Sequence, residues 1–242
     1  MINHQNSLPT IHWPDHLDLP YEDGRIKDFF ESPQAMLLSQ SIRPILHQCH
    51  SDNQFAIGHD SGIYWRYVPE NPLLGCVAPG WFYIPNVPRM KIDGRIRHSY
   101  VMWQELIAPH IVIEFARTDG TAARDQTPHK GKFWIYEKVI RPVYYGILEF
   151  ETHQFELFRF DGVRFQTVKK DRWGNYPLET LNVALGFSQQ TILNVPYQWL
   201  CWFDSNGMPL STPNNTEERQ LTQNTEKLRQ KLRALGIDPD AL

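Results

Sequence analysis

Three positions in this chain combine residue type and spacing in a way that bears on chemistry. Glu114 follows at once on the wholly apolar run Ile111-Val112-Ile113. Lys132 opens a segment with helical periodicity. Gly80 sits between Pro79 and Trp81, at the mouth of a strand-like stretch that continues through Phe82-Tyr83-Ile84. Acids at the ends of two adjacent buried strands suit a hard divalent cation, because each strand end fixes its carboxylate beside the next. Mg2+ takes such oxygens and keeps several of its waters. A lysine within reach could orient the attacking water or stabilise charge on a developing phosphorane. The acid after the second strand and the lysine are both present. After the first strand stands glycine, which could offer a metal only its carbonyl.

These residues need elements to hold them. Pro33 opens a helix expected over 34–48, with Met36, Leu37, Leu38, Ile42, Ile45 and Leu46 on its apolar face and Pro44 kinking it. Strands are expected over 55–67 and 73–84, each interrupted by glycines, and over 111–115, where the unbroken apolar run predicts burial on both faces. A basic loop, 85–98, carries Arg89, Lys91, Arg95 and Arg97 and is the best phosphate-facing candidate. The segment 130–140 predicts a helix that buries Phe133, Ile135, Tyr136 and Val139 and ends at Arg141-Pro142. Alternating segments follow at 143–151, 154–160 and 163–169, with Asp161-Gly162 as a hairpin turn between the last two. A second hairpin is expected from 199–203 and 208–210 around Ser205-Asn206-Gly207.

Composition narrows the classes. The chain has 242 residues, 41% hydrophobic and 21% charged, enough for one well-cored domain with appendages. A net charge of −3 gives no global basic field, though a local cleft can still be basic. Cys49, Cys76 and Cys201 are an odd, widely spaced set and predict reduced thiols rather than a disulfide framework. Neither a leader-like segment nor a membrane-length apolar run is visible, so a cytoplasmic protein is expected. The phosphate-binding glycine motifs of nucleotide enzymes and the Gly-x-Ser-x-Gly elbow are absent. His47, Cys49, His50 and His59 do not reach a zinc spacing.

Ala78-Pro79-Gly80-Trp81-Phe82-Tyr83-Ile84, Ile111-Val112-Ile113-Glu114-Phe115 and Lys132-Phe133-Trp134-Ile135-Tyr136, followed by Val143-Tyr144-Tyr145, resemble the blocks of the Uma family of restriction-endonuclease-like proteins. That family is placed in the PD-(D/E)XK nuclease superfamily, and the resemblance covers roughly residues 20 to 200. It implies an α/β (α+β) fold with a central mixed sheet flanked by helices, and a Mg2+-dependent phosphodiesterase centre. Glu114 falls on the family's second acid, and so on its metal ligand. Lys132 falls on the lysine that has migrated from strand to helix. The departure is Gly80, where the family has aspartate; restoring that acid is expected to create metal binding. Asp60, Asp93 and Asp125 are the carboxylates that could replace it.

The domain plan expected is an irregular arm at 1–24, a restriction-endonuclease-like domain at 25–212 and a polar helix at 213–242. Leu221, Leu228 and Leu235 are seven apart in that tail, which fits either a homodimer contact through 216–235 or packing on the parent domain. Two functions fit these residues. One is a Mg2+-dependent endonuclease-like protein with a degenerate site. The other is a catalytically inactive relative that binds DNA or a protein partner.

Overall fold

The computed structural model describes residues 29–88, 90, 94, 96–116, 119–212, 231 and 233. The expected arm at 1–24 lies outside them, as do Arg89, Lys91, Asp93, Arg95 and, apart from Lys231 and Arg233, the expected helix at 216–235.

A long helix, α1 (Glu31–Cys49), opens the described chain. The first strands are β1 (Phe55–Gly58), β2 (Ile63–Tyr64), β3 (Cys76–Val77), β4 (Trp81–Pro85) and β5 (Tyr100–Val101). A helical turn, α2 (Met102–Glu105), precedes β6 (Ile111–Ala116). Next come α3 (Thr121–Arg124) and α4 (Lys132–Ile135), the latter running straight into a π-helical turn, Tyr136–Ile140. The chain continues through β7 (Tyr144–Glu149), β8 (Gln154–Phe160), β9 (Phe165–Thr167), β10 (Tyr176–Leu178), β11 (Val183–Ile192) and β12 (Val195–Phe203).

Six strands form a central mixed sheet in the order β1-β4-β6-β7-β8-β9. Only β6 and β7 run parallel, because the link between them crosses over through α3 and α4 instead of turning back as a hairpin. This is the mixed α+β architecture expected, a central sheet flanked by helices. Strand alternation sends Trp81, Tyr83, Ile111, Ile113, Tyr144 and Leu148 to one face, where α1 and the sheet β10-β11-β12 cover them. The other face carries Phe82, Ile84, Val112, Tyr145 and Ile147 and is covered by α4 and its π turn.

Side-chain hydrogen bonds stitch α1 to both sheets. Gln34, fully buried, donates to the Leu200 carbonyl at 2.7 Å and accepts from the Leu200 N–H at 3.0 Å, which satisfies the backbone of β12. Trp81 donates to Ser39 and Trp202 to the Leu38 carbonyl, with the two indoles 5.8 Å apart.

Several expected elements are shorter than predicted. The stretch 55–67 breaks into β1 and β2, and 73–84 into a 3-10 turn (Pro72–Gly75), β3 and β4. Gly58 and Gly62 break the first stretch and Pro79-Gly80 the second, so that the chain can pair elsewhere: β1 joins the central sheet, and β2 the small sheet β3-β2-β5. The hairpin expected at 199–210 reduces to one bridge, Phe203 with Pro209. Instead β12 pairs along its full length with β11, a strand not anticipated, through a two-residue turn at Leu193 and Asn194, both at positive φ.

Candidate functional site

Glu114 sits in the fourth position of β6, on the face covered by α4, and is 3% exposed. A carboxylate this buried must have both oxygens satisfied. Its Oε2 accepts from Lys132 Nζ at 2.8 Å, and its Oε1 accepts from the Tyr136 hydroxyl at 2.7 Å. The two donors come from one helix, four residues apart, which places them on the same side one turn apart. The π turn begins at Tyr136, and its wider winding ends in the Arg141 N–H donating to the Tyr136 carbonyl at 2.8 Å.

The electrostatics follow from this contact. The Glu114 charge raises the Lys132 ammonium above its usual range, the Lys132 side chain being 39% exposed. Burial, and then the Glu114 charge, hold the Tyr136 and Tyr145 hydroxyls far above the ordinary phenol range. Both rings therefore remain neutral donors. Glu31, at the start of α1, also acts on Lys132 through its charge, and the sequence reading had not singled it out.

Gly80 lies one step beyond the β4–β6 ladder, whose last pair is Trp81 with Ile113, and so stands across from Glu114 in register. Strict alternation would aim a residue-80 side chain at the Glu114 face. The backbone departs from alternation here. A Cβ at Gly80 would lie 2.3 Å from Cγ and 2.9 Å from Cβ of Phe115, the residue on the opposite face of β6 from Glu114. Phe115 packs edge-on to Phe150 at 5.4 Å and belongs to the α1-side core. An aspartate at 80, expected to create metal binding beside Glu114, would have to displace the Phe115 ring to do so. The side chain would start into the Phe115 ring, away from the carboxylate it was to join.

Two of the three candidate substitute acids, Asp60 and Asp125, are among the described residues. Asp125 Oδ1 accepts from the N–H and hydroxyl of Thr127 at 2.8 and 2.6 Å, which caps the turn before α4. Asp60, at φ 48, donates its N–H to the Pro79 carbonyl at 3.0 Å, so it flanks Gly80 on the β1 side. Asp93 lies outside the described residues. Among the described residues no group of three or more His, Cys, Asp or Glu side chains gathers to hold a metal. His47 Nδ1 bonds Asn53 Oδ1 and His50 Nε2 bonds the Tyr83 hydroxyl.

A second buried acid was missed by the sequence reading. Glu149, at the end of β7 and 4% exposed, pairs with Arg124 at 2.7 Å and accepts from Thr152 at 2.6 Å. Arg124 also pairs with Glu156 at 2.6 Å. Its only sequence signal was an acid closing an apolar strand, the same signal that marked Glu114. Of the basic loop cluster, Arg97 is described: it pairs with Glu105 and donates to the Pro88 carbonyl, which ties it down beneath the loop.

As they stand, these residues do not fit Mg2+. They supply one buried carboxylate with both oxygens engaged, and a phenylalanine fills the space beside Gly80. What the arrangement does is neutralise a buried charge and lock α4 onto β6.

No family model matches the chain, and no curated protein matches it significantly. Among solved structures it is similar to a protein from Anabaena variabilis described as a "putative nuclease belonging to DUF820". The identity is 9% and the TM-score 0.39, over 62% of this chain and 73% of that one.

Proposed function

We propose that this chain is a restriction-endonuclease-like protein whose Glu114 centre holds the fold together and does not hydrolyse phosphodiesters, and that it acts by binding nucleic acid. The resemblance of the three sequence blocks to the Uma family supports the scaffold. One observation carries the loss of chemistry: Lys132 and Tyr136 each take one oxygen of Glu114, and Phe115 occupies the space in which an acid at position 80 would begin. Loading a divalent ion would require breaking the ion pair and the tyrosine hydrogen bond that now satisfy Glu114.

The test is cleavage of plasmid and single-stranded DNA in millimolar Mg2+ or Mn2+, alongside a calorimetric metal titration. The expected result is no cleavage and no heat of binding. Metal-dependent nicking that disappears in Glu114→Gln would overturn the reading and restore Glu114 as a metal ligand and Lys132 as a catalytic residue.

A further inference from the structure

The loop between β9 and β10 presents cations and an exposed aromatic ring in a fixed arrangement. Lys169, Lys170 and Arg172 are exposed, and Trp173 is 53% exposed. The loop is built, since Asp171 Oδ1 accepts from the N–H groups of Trp173 at 2.8 Å and Asn175 at 3.0 Å, and Asp171 N–H donates to the Asn175 carbonyl at 2.7 Å. Asn175 is buried so tightly against β11 that a Cβ on Gly186 would fall 1.8 Å from its Oδ1. The Trp173 ring lies over Gly207, in the turn after β12, where a Cβ would come within 2.8 Å of the indole.

The charges of this surface are unevenly used. In the acids of the neighbouring turns, Asp161, Asp171 and Asp204, Oδ1 accepts from backbone N–H groups of the same turn, and Oδ2 of Asp161 and Asp204 accepts from the side-chain amides of Gln166 and Asn206. The three cations pair with no carboxylate among the described residues. Lys170 instead lies over the Tyr176 ring at 5.2 Å, and the Arg172 guanidinium over Trp173 at 4.8 Å. Tyr176 packs on Phe155 in the α1-side core, so this surface belongs to the face opposite the Glu114 carboxylate.

We infer that the 169–173 loop is a contact surface for single-stranded nucleic acid, with Lys169, Lys170 and Arg172 on the phosphates and Trp173 as a stacking platform. Unpaired cations attract the phosphate backbone and release its counterions. The Trp173 indole stacks on an unstacked base, which a duplex does not present, once the Arg172 guanidinium leaves the ring for a phosphate. An acidic peptide would use the cations and leave the indole idle. The partner's identity rests on the nucleic-acid reading above; the surface itself is independent of the Glu114 centre.

The experiment is fluorescence anisotropy of a labelled oligo-dT of about 15 nucleotides, matched to the site sizes of single-strand binders, with the full chain in EDTA across a salt series. Wild type is expected to bind, with affinity falling steeply as salt rises. Lys169→Gln/Lys170→Gln/Arg172→Gln should lower the log–log salt slope by about 2, three phosphate contacts at roughly 0.7 each. Trp173→Ala should weaken binding about tenfold with the slope unchanged, and matching thermal melts check that both variants fold. Equal oligo-dT affinity in wild type and the triple variant overturns the proposal, as does tighter binding of poly-glutamate than of oligo-dT. Because EDTA removes metal, discovery of a hydrolytic Glu114 centre would leave this result standing, and Glu114→Gln is expected to bind oligo-dT like wild type.

Discussion

Glu114 shows why residue type alone does not decide between chemistry and structure. A carboxylate at a buried strand end suits a metal, and it equally suits a lysine and a tyrosine that together satisfy it. The second arrangement predicts a stability role. Glu114→Ala would strand the Tyr136 hydroxyl in the core and leave Lys132 without its partner. The loss expected is about 2–3 kcal/mol, below the full cost of breaking a buried pair because Lys132 is partly wet. Tyr136→Phe removes one hydrogen bond to a charged acceptor and should cost roughly 1–3 kcal/mol. Urea denaturation with unchanged m-values would measure both, and a Glu114→Ala midpoint equal to wild type would show that the pair is not structural.

Between elements, the contact that matters is β4 against β6 at the end of their ladder. Gly80 has no Cβ, and Phe115 uses that room to reach Phe150. Gly80→Asp is therefore expected to lower the unfolding free energy by about 1–3 kcal/mol through overpacking, with a Mg2+ titration as flat as that of wild type. A double variant, Gly80→Asp with Phe115→Ala, should recover part of the midpoint relative to Gly80→Asp. A heat of metal binding in the single variant would mean that the ring yields and the acid reaches Glu114.

Across the whole molecule, His110 joins the central sheet to the second one. Its ring bonds the Thr180 hydroxyl at 2.7 Å, and its backbone links Tyr83 on β4 to Tyr144 on β7. Burial, then the nearby His50, lower its pKa from 6.5 to about 4. The folded state thus resists a proton that the unfolded chain accepts. Its contribution is present above pH ~6.5 and is lost as pH falls toward ~4, because the unfolded state binds more protons in that window. Stability should drop by roughly 3 kcal/mol between those limits, and His110→Gln should flatten the curve. A wild-type midpoint unchanged from pH 7 to 4.5 would exclude this role.

The sequence by itself determined the elements whose patterns are local. The apolar run 111–113 read as a buried strand and became β6; Gln154–Phe160 fell where its alternation put it; the helix beginning at Lys132 was visible from its spacing. It also marked Glu114 and Lys132 as candidates, and the structure brings them to 2.8 Å. It could not show Tyr136 as the second donor, nor Glu149 with Arg124, because those contacts join residues 22 and 25 apart through a crossover that no local pattern encodes. Nor could it show β11, whose outer half is half-wet and mixed in composition and is fixed only by pairing with β12. Gly80 shows the same limit. A glycine in sequence is a missing side chain, but in the fold it is space already filled by Phe115, and only packing across strands decides which face that space belongs to.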